Sequence, residues 1–125
     1  MAEILSLTVS EAVRVDSQRI AGIMAELGDT AAQHVIGLAL EQLATILTTT
    51  EAALAAGDLA RTVADSEHMA RLAWQIGLLS LAGVAMDLGS TAERGDLPAL
   101  AAIRARLQRV GNLSLTAIWD RAAIS

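Results

Sequence analysis

Three glycine–aspartate pairs divide this 125-residue chain into long, uninterrupted segments rich in alanine and leucine. The pairs are Gly28-Asp29, Gly57-Asp58 and Gly95-Asp96. Glycine ends a helix readily because it adopts the left-handed conformation without steric cost, and aspartate caps the helix that follows. Pro98 comes just after the last pair, in a first helical turn where its missing N–H costs nothing. The pattern predicts helices joined by very short connections.

The segments between these pairs carry apolar residues at helical spacing and predict five helices. They run over about 16–27, 30–56, 59–76, 81–94 and 97–110, with a bend at 77–80. Helices joined by such short connections run antiparallel to their neighbours. The predicted fold is therefore all-α, an antiparallel up-down four-helix bundle with an additional N-terminal helix.

Composition supports this fold and excludes several others. Only 2% of the residues are aromatic, which favours tightly packed helices over sheet. A chain of this length has room for one domain, spanning 1–125, and residues 113–119 are expected to pack back on the bundle. Trp74 and Trp119 are expected to anchor the structure, and Met24, Met69 and Met86 to fill the core.

Charge and cysteine content restrict the possible functions. The chain has no cysteine, which excludes disulfides, thiolate metal sites and cysteine nucleophiles. Its net charge of −5 disfavours nucleic acid, whose phosphate backbone requires a concentrated basic face. The most apolar run, 72–86, is too short to cross a bilayer, and the first residues do not resemble a signal peptide. We expect a cytoplasmic protein that binds neither nucleic acid nor a membrane.

Few residues form patterns that could support chemistry. Serine-hydrolase and phosphate-loop motifs are absent. Asp65-x-x-His68 has no second copy elsewhere, so a carboxylate-bundle metal site is not expected, nor is a cofactor. His34, early in the second helix, is expected to have a surface or helix-end packing role. His68 in the third helix remains the candidate.

His68 is expected on the polar side of the third helix. At about 100° per residue it shares that mostly polar side with Arg61, Ala64, Asp65, Arg71, Leu72 and Gln75. The opposite side carries a strip of small and apolar residues: Leu59, Val63, Ser66, Ala70, Ala73 and Gly77. Arg71, one turn later, can offer planar cationic donors to a phosphoryl group on the imidazole, and Asp65 could orient the ring. The alternative is an exposed histidine without a chemical role.

The order and spacing of several short segments are similar to those of a known family. These segments are Val15-Asp16, Leu27-Gly28-Asp29, 52–58, Gly77 and 92–97. From about Val15 to Val110 the chain resembles a histidine-containing phosphotransfer (HPt) domain, the helical bundle of phosphorelays. The resemblance implies two-component signal transduction, in which His68 accepts a phosphoryl group from a receiver aspartate and passes it on. Arg71 stands where the family has a basic residue.

The sequence around His68 departs from the family motif His-x-x-Lys-Gly in two ways. Leu72 replaces the glycine, and the family's spacing from Gly57 or Gly77 would put the acceptor at Glu67. One function is therefore a phosphohistidine carrier, rather than a conventional enzyme, whose partners are response-regulator receiver domains, a sensor histidine kinase or both. The other is a degenerate HPt-like module that binds receivers or kinases without catalysis. A helical dimer with no signalling role is a third alternative.

Overall fold

The structure, a computed structural model, describes residues 13–124, with side chains described for 13–118. This part of the chain forms five helices: α1 (Ser17–Leu27), α2 (Asp29–Ala56), α3 (Leu59–Gln75), α4 (Leu79–Arg94) and α5 (Leu97–Ile124). Helices α2, α3, α4 and α5 each pack against two of the others and close a ring, while α1 packs on α2. The predicted all-α bundle with an additional N-terminal helix is confirmed.

Two of the three glycine–aspartate pairs end one helix and begin the next as predicted. Gly57 and Gly95 adopt left-handed conformations with φ of 70° and 66°. Asp58 then accepts a hydrogen bond from the N–H of Arg61 at 3.0 Å, which caps α3. The first pair differs, because Gly28 itself is the N-cap and Asp29 is already the first residue of α2.

The turn between α3 and α4 packs tightly against the chain that precedes α1. Gly77 has φ of 81°, and a Cβ built there would lie 3.0 Å from the carbonyl oxygen of Asp16. The carbonyl of Gly77 accepts a hydrogen bond from the N–H of Asp16 at 2.7 Å. An isolated bridge joins Val15 to Leu78. Glycine is required at 77 by both conformation and space, and the contact places Arg14 beside the start of α4.

Helices α3 and α4 approach each other closely in the centre of the bundle. A Cβ built at Gly89 would lie 3.3 Å from the Cβ of Ser66, which is itself buried. Ala73 on the same side of α3 is fully buried. These contacts confirm the prediction that a strip of small residues on the third helix packs against its neighbours. Larger apolar side chains complete the core: Ile36, Leu43, Met69, Leu81, Leu88, Leu107, Val110 and Ile118.

The last helix is longer than predicted. It continues without a break to Ile124, and the expectation that the tail packs on the bundle is confirmed as far as residue 118, because Ser114 and Ile118 are buried and Leu115 packs against the core. Gly111 lies inside this helix and serves packing: a Cβ there would lie 3.1 Å from Cδ1 of Leu47 on α2. The side chain of Trp119 lies outside the described residues. None of the helices described combines the length and the apolar character that spanning a membrane requires.

Candidate functional site

The structure places His68 and Arg71 on the solvent-exposed side of α3. Both lie near the middle of the helix, one turn apart, so their Cβ atoms are about 5–6 Å from each other. Within residues 13–118, neither side chain has a hydrogen bond or an ion pair. An imidazole and a guanidinium are therefore available together to an anionic group that approaches from solvent.

Asp65 does not join them, which corrects the prediction that it shares the exposed polar side. It is only 8% exposed. One carboxylate oxygen accepts a hydrogen bond from Nε of Arg61 and the other from the hydroxyl of Thr49, each at 2.9 Å. Because α2 packs along this edge of α3, Thr49 covers the carboxylate. Both oxygens of Asp65 therefore have partners other than His68.

Glu67 and His68 face opposite edges of the exposed side of α3. Glu67 lines a groove of about 350 Å³ between α3 and α4, together with Arg71, Ser90 and Glu93. His68 does not line this groove. It lies on the same edge as Asp65, three residues earlier, and Asp65 contacts α2. Arg71 lies between the two edges and can reach an anion at either one.

Trp74 and Met86 are exposed, so the predictions of an anchoring tryptophan and a core methionine are wrong at these positions. Their exposed fractions are 64% and 63%, whereas Met69 is fully buried. Both line a second groove of about 520 Å³, which we name the Trp74 groove. It is formed mainly by α4, with the end of α3, the chain before α1 and α5 at its edges. Its other lining residues include Arg14, Leu79, Gly83 and Arg106.

Sequence reasoning could have found the exposure of Trp74. The residue lies seven positions after Glu67 and three after Arg71, a spacing that places all three on one face of a helix. Composition favoured a buried Trp74, because an isolated tryptophan in an apolar chain is usually buried. The helical wheel was the better guide.

The two other residues singled out from the sequence do not extend the site. Leu72, at the family's glycine position, is partly buried and packs against the core. His34 is exposed near the start of α2. Across the described part of the chain, no three His, Cys, Asp or Glu side chains lie close enough together to hold a metal ion.

Comparison with known proteins identifies the fold through structure alone. No protein-family model matches the chain, and no curated protein matches its sequence. The fold is similar to the crystal structure of histidine-containing phosphotransfer protein B from Pseudomonas aeruginosa PAO1, with a TM-score of 0.80. The two sequences are 19% identical, and the match covers 89% of this chain and 96% of that one. A likeness at this identity shows a shared helical-bundle fold.

Proposed function

We propose that the chain is a phosphotransfer protein of a cytoplasmic phosphorelay, with His68 as the residue that carries the phosphoryl group. One observation carries the proposal: His68 is exposed in the middle of α3 with Arg71 one turn away, in a bundle that shares its fold with an HPt protein. The implied partners are receiver domains, a sensor histidine kinase or both.

The chemistry requires little from the bundle. The lone pair of an unprotonated ring nitrogen of His68 attacks phosphorus in a receiver's aspartyl phosphate. A P–N bond forms, the acyl P–O bond breaks, and the aspartate leaves as a carboxylate while the imidazole keeps the proton on its other nitrogen. Transfer to a second receiver reverses these steps. The receiver supplies its own metal ion and acidic pocket, so this chain needs only an accessible nucleophile and a nearby cation.

Arg71 is the cation in this proposal. Its guanidinium is always charged and presents planar N–H donors that suit phosphoryl oxygens. Because the side chain has no partner within the described residues, it is free to turn toward His68. Its role is to stabilise the negative charge of the transferred group.

A second candidate function is a degenerate module that binds receivers or kinases without accepting a phosphoryl group. Gly57 and Gly77, from which the family's spacing leads to Glu67, both stand at the ends of α3 with positive φ. Glu67 lines the groove that also contains Arg71, Ser90 and Glu93, whereas His68 does not. These observations favour the view that glutamate occupies the family's acceptor position.

A labelling experiment tests the first function. Receivers charged with labelled acetyl phosphate, and a kinase with labelled ATP, are incubated with the wild type, with His68→Ala and with His34→Ala. The proposal requires label on the wild type and on His34→Ala, and none on His68→Ala. His34 is the matched control because it is also an exposed histidine on a helix. Failure of a complete panel of cognate receivers to label the wild type would end the proposal.

The same variants, tested for receiver binding as well as for labelling, distinguish the two functions. A degenerate module binds a receiver in titration calorimetry with equal affinity before and after the His68→Ala substitution, and carries no label in either form. The double variant Glu67→His/His68→Ala then asks whether position 67 is the acceptor position. Label on this variant, combined with none on the wild type, supports the degenerate module.

A further inference from the structure

We propose that the Trp74 groove binds a helix of a partner protein that presents apolar side chains flanked by carboxylates. Neither His68 nor Arg71 lines this groove, although it shares Met86 with the neighbouring groove that Arg71 lines. The proposal goes beyond the phosphotransfer function and does not depend on whether His68 carries a phosphoryl group.

The apolar walls of the groove are the first observation. Trp74 projects from the last turn of α3 and Met86 from α4, and about two thirds of each side chain is exposed to solvent. Tryptophan and methionine are enriched at protein interfaces, where tryptophan often contributes much of the binding energy. Because both walls are open to solvent, the groove suits a long element laid along it better than an enclosed small molecule.

Gly83, in the interior of α4, is the second observation. Glycine destabilises a helix interior, so its presence there needs a reason. At Gly89 on the same helix the reason is close packing against Ser66. At Gly83 packing gives no such reason, because a Cβ built there would meet no atom within 4 Å. Gly83 is exposed, lines the groove and has an ordinary negative φ. A bare backbone at this place allows close approach by another molecule.

Charge at the edges of the groove identifies the kind of partner. Arg14 is exposed, and its guanidinium has no hydrogen bond or ion pair with the side chains described. Arg106 lines the groove and lies 3.6 Å from the carboxylate of Asp87, which also lines it. Arg14 therefore brings to the edge of the groove a guanidinium without a partner among the described side chains, although the chain carries a net charge of −5. A partner with carboxylates beside its apolar ridge is therefore complementary to this groove.

The test uses the full chain and a designed peptide as the probe. The peptide is an amphipathic helix with leucines along one face and glutamates on both sides, and a matched peptide has lysines in place of the glutamates. Binding is measured by calorimetry and by the fluorescence of Trp74 in a Trp119→Phe background. We expect the glutamate peptide to shift the Trp74 emission to the blue, with an affinity that falls as salt is raised. The lysine peptide should not bind.

Variants of the groove give a second, independent readout. Gly83→Leu fills the groove with a better helix former in open space, so the chain stays folded while binding falls by at least about tenfold. Trp74→Ala should have a similar effect. Gly22→Leu on α1 is the control, because a Cβ there also meets no atom within 4 Å. Circular dichroism verifies the fold of each variant.

Several results would overturn the proposal. The proposal is wrong if the two peptides bind equally well or if neither binds. It is also wrong if the Gly83→Leu variant binds the glutamate peptide as tightly as the wild type does. A Trp74 emission that shifts to the red when residues 1–12 are removed would assign the groove to the chain's own N-terminal segment. An emission that depends on protein concentration without peptide would assign it to a second copy.

Discussion

The hydroxyl of Thr49 on α2 lies 2.9 Å from a carboxylate oxygen of Asp65 on α3, and this hydrogen bond joins the two helices along one edge of α3. Turning α3 by one residue, about 100°, would take this carboxylate away from its partner. It would also move His68 and Arg71 off the exposed side. This polar contact therefore supports the rotation of α3 that places His68 and Arg71 in solvent.

Replacing Asp65 by alanine should destabilise the bundle by about 1–3 kcal/mol. The substitution leaves the part-buried Thr49 hydroxyl with its weaker bond to the carbonyl of Ile46 and creates a small void. Urea denaturation measures the loss. Arg61→Ala is the matched control and should cost less than about 1 kcal/mol, since Arg61 is 57% exposed and its ion pair is screened by solvent. Equal costs for the two variants would contradict the assigned roles.

Gly77→Ala should destabilise the chain by at least about 2 kcal/mol. A side chain at φ of 81° is strained, and its Cβ would press against the backbone oxygen of Asp16, which cannot move aside as a flexible side chain can. Gly22→Ala in α1 provides the comparison. Its Cβ would meet no atom within 4 Å, so the substitution should stabilise the chain by about 0.5–1 kcal/mol. Thermal melting of both variants distinguishes these opposite signs.

Ser114→Ala should leave stability unchanged or raise it by up to about 1 kcal/mol. Ser114 is buried on α5, and its hydroxyl has no hydrogen-bond partner among the described residues. Removing an unsatisfied buried hydroxyl removes a desolvation penalty, and alanine is the better helix former. Ser66→Ala is the contrasting variant, because that buried hydroxyl donates to the carbonyl of Thr62 at 2.7 Å. A greater loss of stability at Ser114 than at Ser66 in urea denaturation would contradict the prediction.

Arg71→Ala should slow phosphotransfer to His68 by about ten- to hundredfold, the equivalent of one charge-assisted hydrogen bond in the transition state. Stability should not change, since Arg71 is exposed and without partners within the described residues. Arg71→Lys retains the charge but not the planar donors, and should recover part of the rate. Single-turnover labelling gives the rates, and unfolding curves provide the stability control. An unchanged rate in Arg71→Ala would remove Arg71 from the proposed site.

The helices and several of their boundaries could be predicted from the sequence because the signals that begin and end a helix are local. Glycine followed by aspartate ends and caps helices within a few residues, so the ends of α2 and α4 fall where predicted, at Ala56 and Arg94. Gly111 was the difficult case. It lies inside α5, where its lack of a side chain lets the helix pack closely on Leu47 of α2, and a contact between residues so far apart in sequence has no local signal.

For the candidate site, the sequence by itself determined the exposed face of α3, since helical periodicity relates His68 to Arg71 without reference to any other element. Only the tertiary structure decided the surroundings of that face. Thr49 is sixteen residues from Asp65 in sequence, yet it buries that carboxylate because α2 packs beside α3. The packing of α4 against α3 leaves Trp74 and Met86 in an open groove. Periodicity specifies the side of a helix on which a residue lies, whereas burial depends on which other helix covers that side.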